Sequence, residues 1–204
     1  MNFRNLIILF FCQLISSTGQ LVVVTLGGII GSSLTDSQSI ATLPVSLMVV
    51  VTALTAIPAT MLMRRIGRKY GSAIASLSAA IAVLLAAYAI KTQSFILFAL
   101  SAAMFGINAA FSQQYRYAAA ESVNQEFVSR SISLILLGAI GGAMLGPELV
   151  TRGQFWISGI QYAGTLISLA LLFVFQAILL LSLGDFGITE EGNDKTSGRK
   201  LSII

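Results

Sequence analysis

Histidine is absent from the 204 residues, and cysteine occurs once, at Cys12. Without histidine there are no His-ligated metals, no Ser-His or Cys-His nucleophile pairs and no histidine proton relay. A single cysteine excludes an intramolecular disulfide, and Cys12, inside an apolar run, reads as a small buried residue. Charge is also scarce: 10% of residues are charged, where a soluble domain carries about 25%. No glycine-rich phosphate loop ending in Lys-Ser or Lys-Thr occurs, so direct nucleotide hydrolysis has no support. Serines are many, but no intramembrane base stands ready to activate one, and no paired titratable groups occur within the apolar runs. The expectation is therefore no enzyme, no metal and no cofactor. The net charge of +4 is small and its cations sit at loop ends, which gives no support for nucleic-acid binding.

What the chain has instead is apolar length. Hydrophobic residues make up 56% and mean hydropathy is +0.88, the mark of an integral membrane protein in a lipid bilayer. The runs are continuous and do not alternate every second residue, which favours helices over a transmembrane barrel. Six spans are expected, at roughly 6–30, 40–63, 70–90, 95–120, 131–150 and 157–183. The fold class is thus an all-α membrane protein of six transmembrane helices. Residues 1–184 form the bundle, and 185–204 form a polar tail or the start of an inter-domain linker. The retained N-terminal run carries no cleavage signature.

Orientation follows from Arg64-Arg65-Ile66-Gly67-Arg68-Lys69, which packs four cations between two apolar runs. Each would cost roughly 2.5 to 3.5 kcal/mol at the centre of a span, so this is a water-exposed turn, with Gly67 giving the backbone freedom to reverse. Basic short loops stay in the cytoplasm. Threading the chain from this turn puts ten of its twelve cations on that side, leaving Lys91 and Arg152 outside, and makes both termini cytoplasmic. The three-helix halves are compatible with two repeats in inverted arrangement.

Two spans carry polar stripes. Gln13, Ser16, Ser17 and Gln20 share one face of the first, and Ser101, Phe105, Asn108 and Ser112 share one face of the fourth, with Arg116 at its cytoplasmic end. Amides and hydroxyls in hydrocarbon need partners, so these faces meet either a neighbouring helix or a watery cavity. Gln13, Ser17, Gln20, Asn108 and Ser112 are the substrate-cavity candidates. Glu148, the one carboxylate within a predicted span, is a coupling candidate, or else half of an i, i+4 surface pair with Arg152. Glu126 and Arg130 have the same spacing. Gly138, Gly141 and Gly142 share a face able to approach another helix closely, Gly146-Pro147 should kink or end the fifth span, and Trp156 reads as an interfacial anchor.

With six spans, R-x-G-R-K between the second and third, and G-x-x-x-G-P in the fifth, the chain resembles the N-terminal half of a major facilitator superfamily transporter, over residues 1–183. Arg65, Gly67, Arg68 and Lys69 match the family's cytoplasmic turn. Thr60 stands where the family has a glycine, and Arg64 where it has an aspartate. Gly142, Gly146 and Pro147 match the fifth-helix signature, and Ala102 takes the place of a fourth-helix arginine. The resemblance implies a secondary active transporter, or half of one, moving a small-molecule solute by alternating access in a bacterial inner membrane. Its cavity would be walled by the first, second, fourth and fifth helices. Partners would be a second six-helix half or a homodimer copy, since a lone half exposes polar faces to lipid. A transport-incompetent scaffold or truncated remnant is the alternative. With the turn's carboxylate missing, Arg64 should be answered by Glu121 or Glu126, and Arg116 is grouped with Glu121 as a further charge partner. Neutral amide and hydroxyl faces favour a neutral or amphipathic solute over a compact ion.

Overall fold

In hydrocarbon every backbone amide and carbonyl has to bond within its own segment, so long apolar runs fold as helices. In the computed structural model, which describes residues 3–35, 37, 39–153, 156 and 162–184, they form α1 (Phe3–Ser33), α2 (Leu43–Ile66), α3 (Arg68–Lys91), α4 (Phe95–Ser112), α5 (Tyr115–Glu121), α6 (Val128–Gly153) and α7 (Ala163–Leu181). Six segments are long and apolar enough to cross a membrane, with α4 and α5 together making the fourth. The chain is an integral multi-pass membrane protein. The tail 185–204, Asp36 between the first two spans and the expected start of the sixth span at Ile157 lie outside the described residues.

The first three spans and the last three pack crosswise. α1 packs most extensively on α6, α2 on α4, and α3 on α7. If the two sets are exchanged, with α1 matched to α4, α2 to α6 and α3 to α7, this list of pairings maps onto itself. The contacts are close because glycine stands at the crossings. A Cβ on Gly138 would lie 2.9 Å from the Phe10 carbonyl oxygen, and one on Gly106 would lie 2.5 Å from that of Met48. On α6 the Gly138, Gly142 and Gly146 positions all face α1.

Two sequence expectations are corrected. The fourth span is not one helix to Ala120; it breaks at Gln113–Gln114. There the Gln114 backbone amide tightens onto the Phe111 carbonyl at 3.0 Å, the Ser112 hydroxyl bonds back to the Ala109 carbonyl at 2.9 Å, and the Gln114 side-chain amide donates to the Thr60 hydroxyl at 3.2 Å. Of the kink or end expected at Gly146-Pro147, the end does not occur: α6 runs through Pro147 to Gly153. Gly142 and Gly146 hold the helix to α1 just ahead of Pro147.

The basic turn is tighter than expected. Gly67 alone separates α2 from α3, with φ 86° and ψ 152°, a conformation open almost solely to glycine. Gly67→Ala should therefore cost about 1 to 3 kcal/mol, read as a lowered unfolding midpoint in detergent. The start of α1 and the end of α7 meet at this same end of the bundle. Asn5 donates to the Gly184 carbonyl at 3.4 Å and accepts from the Gly184 amide at 3.2 Å. Leu9, Met63, Arg68, Tyr115 and Leu180 line one small pocket there, and Arg4, which donates to the Ser182 carbonyl, stands at the same end of the bundle as the α2–α3 turn that carries Arg64, Arg65, Arg68 and Lys69.

Candidate functional site: the seam between the polar helices

The two polar stripes do meet. Gln20 Nε2 on α1 donates to Ser112 Oγ on α4 at 3.0 Å. One heptad earlier, Gln13 Nε2 donates to Ser17 Oγ at 3.1 Å within α1. Ser17, Asn108 and Ser112 are buried, while Gln13 and Gln20 are half-buried, so the glutamines form the approachable edge of the stripe and the others stand behind it. None of the five is on a fully exposed face. Asn108 is 0% exposed, and neither its amide oxygen nor its amide nitrogen has a hydrogen-bond partner among the described residues.

Ser16, in the same stripe, bonds to α7 instead. Gln176 Nε2, on α7, donates to Ser16 Oγ and to Tyr115 Oη, both at 2.9 Å. This enclosed knot joins α1, α5 and α7. The sequence reading passed over Gln176 and Tyr115. A lone amide within the apolar run from Ala163 to Leu181 was the available signal, since a polar residue at that depth needs a named partner. A second bridge was also missed: the Thr52 hydroxyl donates to the Met48 carbonyl at 2.7 Å and the Gly106 carbonyl at 3.1 Å, across the α2–α4 crossing.

Charge pairing differs from expectation. Glu121 is answered by Arg68, not by Arg64 or Arg116. Gly67 ends α2, so Arg64 and Arg65 stay exposed on its last turn while Arg68 begins α3 and reaches α5. Both members keep contact with water, so the pair is worth about 0 to 1 kcal/mol. Arg116 lies over the Tyr117 ring, 5.2 Å from its centroid, and Lys69 over Tyr70 at 5.9 Å. Glu126 and Arg130 form no ion pair among the described residues. Glu126 falls in a 3₁₀ turn ahead of α6, outside helical register, and Arg130 covers the Phe127 ring at 5.8 Å.

At the opposite end, Arg152 Nε donates to Glu148 Oε1 at 2.5 Å, both exposed. That is the geometry of a surface pair, away from the seam. Among the described residues no group of three or more His, Cys, Asp or Glu side chains is placed to hold a metal. A small, partly open pocket lies between α1, α3, α4 and α7, walled by Leu26, Val83, Phe98, Phe105 and Leu166, with Ser101 as its polar side chain.

No protein-family model matches the chain. It is similar to Riboflavin transporter RfnT of Brucella anthropi, with 33% identity over 169 residues that cover 83% of this chain and 42% of that protein. It is also similar to Uncharacterized MFS-type transporter YddS of Bacillus subtilis, with 28% identity over 181 residues, 87% of this chain and 42% of that protein. The chain spans about half the length of these curated relatives. Six apolar helices in two crosswise sets of three, with a glycine reversal between basic residues, agree with that similarity. Over most of its length the chain is similar to MFS-type transporters, and its six spans fit the N-terminal half of such an architecture.

Proposed function

We propose that this chain is one six-helix unit of a secondary active transporter that moves a small, neutral, amphipathic solute by alternating access. The observation that carries the reading is the Gln20–Ser112 bond, which draws the polar stripes of α1 and α4 into one seam edged by amides and free of charge. A bacterial relative named as a riboflavin transporter adds the solute class, since riboflavin joins a flat ring to a polar chain and carries no net charge. The basic end of the bundle faces the cytoplasm in this proposal, by the bias of short-loop cations, in an inner membrane. α2 and α6 are the least enclosed spans, with Leu54, Ile57, Leu137, Ile140 and Met144 all exposed. A second six-helix half, or a second copy, would cover them. The Glu148–Arg152 pair takes no part in coupling.

The reading is tested by water-soluble thiol labelling of Gln13→Cys in a Cys12→Ser chain in nanodiscs. Labelling that riboflavin slows in a saturable way is the expected result. A site sealed by lipid and silent to the reagent would contradict it.

A further inference from the structure

Asn108 has a carboxamide with nothing to do. It is wholly enclosed, and its Oδ1 and Nδ2 have no hydrogen-bond partner among the described residues. Burying an amide unpaired is costly, so a position that served packing alone would be apolar.

Its position on α4 places it between two contacts with α1. α1 and α4 are tied at two points on either side of Asn108. On one side the Phe105 ring packs on Gly19, where a Cβ would lie 3.1 Å from the ring. On the other, Gln20 bonds to Ser112. Phe105, Asn108 and Ser112 fall on one face of α4, so the amide sits in the seam between the ties. The Gln20–Ser112 bond is the one side-chain hydrogen bond between α1 and α4 among the described residues, and α1 packs far more on α6 than on α4. Because Gln20 is half-buried, the seam is approachable from its side.

We propose that Asn108 is an occluded receptor group, covered by a Gln20–Ser112 latch, for a neutral solute that presents a hydrogen-bond donor beside an acceptor. The edge of an amide, an imide or a pyrimidine-type ring has this form, and a carboxamide matches it with one acceptor oxygen and two N–H donors. An ion would answer only half of the amide and bring an unpaired charge into hydrocarbon. The assignment rests on the transport reading above, and water offers the same pair of groups, so the test has two arms.

In the first, Asn108→Cys in a Cys12→Ser chain is labelled with a water-soluble maleimide. The parent labels slowly. Gln20→Ala or Ser112→Ala raises the rate about fivefold, which is about 1 kcal/mol at 1.4 kcal/mol per tenfold, the worth of one neutral hydrogen bond. Ser78→Ala, which removes a bond internal to α3 and outside the seam, leaves the rate unchanged. Equal rates in all four proteins, or a parent labelled as fast as Ser39→Cys in the exposed loop, overturn the latch. In the second arm, riboflavin fluorescence quenching is compared for the unsubstituted chain and Asn108→Leu. At least about a tenfold loss of binding, with a raised unfolding midpoint, marks a receptor amide. Unchanged binding with a lowered midpoint marks an amide satisfied by water and overturns the assignment. An unsubstituted chain that binds no riboflavin contradicts the solute reading, while the labelling rates still decide the latch.

Discussion

Gly142→Val is expected to be the most damaging single substitution in the bundle. A Cβ at that position would overlap the Leu14 carbonyl oxygen, and it would lie 2.8 Å from Ser17 Cβ and 2.9 Å from the Thr18 amide nitrogen. Two of those three are backbone atoms of α1, which cannot swing aside as a side-chain tip can. α6 would have to lift off α1, and the α1–α6 pairing is the most extensive in the protein. Association of helices in lipid depends on such close approach, because lipid tails are as apolar as the side chains they would replace. The expected cost is about 3 kcal/mol, at the upper end of overpacking, read as a fall in the unfolding midpoint of the purified chain in mixed micelles. Gly141→Val is the control, since its Cβ would meet only Leu14 Cδ1 at an ordinary 3.6 Å. Equal losses at the two positions would show that the crossing is looser than the structure has it.

Gln176→Leu should come second. The substitution removes both hydrogen bonds of the buried knot and strands the Ser16 and Tyr115 hydroxyls in an enclosed layer. Bonds between membrane helices average only about 0.6 kcal/mol, so the larger part of the loss comes from the stranded groups, and about 2 kcal/mol in all is expected. The distinguishing variant is the triple substitution Ser16→Ala, Tyr115→Phe, Gln176→Leu. With every polar partner removed together, most of the lost stability should return, because an apolar replacement of a whole hydrogen-bonded set is close to neutral. A triple variant as unstable as the sum of its parts would contradict this account of the knot.

How much of this was legible beforehand depended on the range of the interaction. Hydropathy placed all six spans, because the bilayer imposes their length one segment at a time. Gly67 was legible because a reversal between cations needs a residue free in φ. The stripes at Gln13 to Gln20 and Ser101 to Ser112 were legible as faces, since helical periodicity is local. Which face meets which is a tertiary matter. Periodicity alone could not tell that Gln20 reaches Ser112 while Gln13 bonds inside its own helix, nor that Asn108 would be sealed while Gln13 and Gln20 stay half-open. The partner of Glu121 was missed for the same reason: one glycine's dihedral angles decide whether Arg64 or Arg68 points at α5. The break at Gln113–Gln114 is accompanied by a bond from Gln114 to Thr60, 54 residues away, which no local pattern signals.

The most direct test of the whole account is uptake. A chimera in which this chain replaces the matched segment of the Brucella anthropi transporter supplies the remaining length that its relatives have. Expressed in bacteria that require external riboflavin, it should take up labelled riboflavin in a saturable way, and Asn108→Leu should abolish that uptake without loss of membrane-inserted protein. A folded, membrane-inserted chimera with no uptake above the vector control, tested across a panel of neutral solutes, would contradict it.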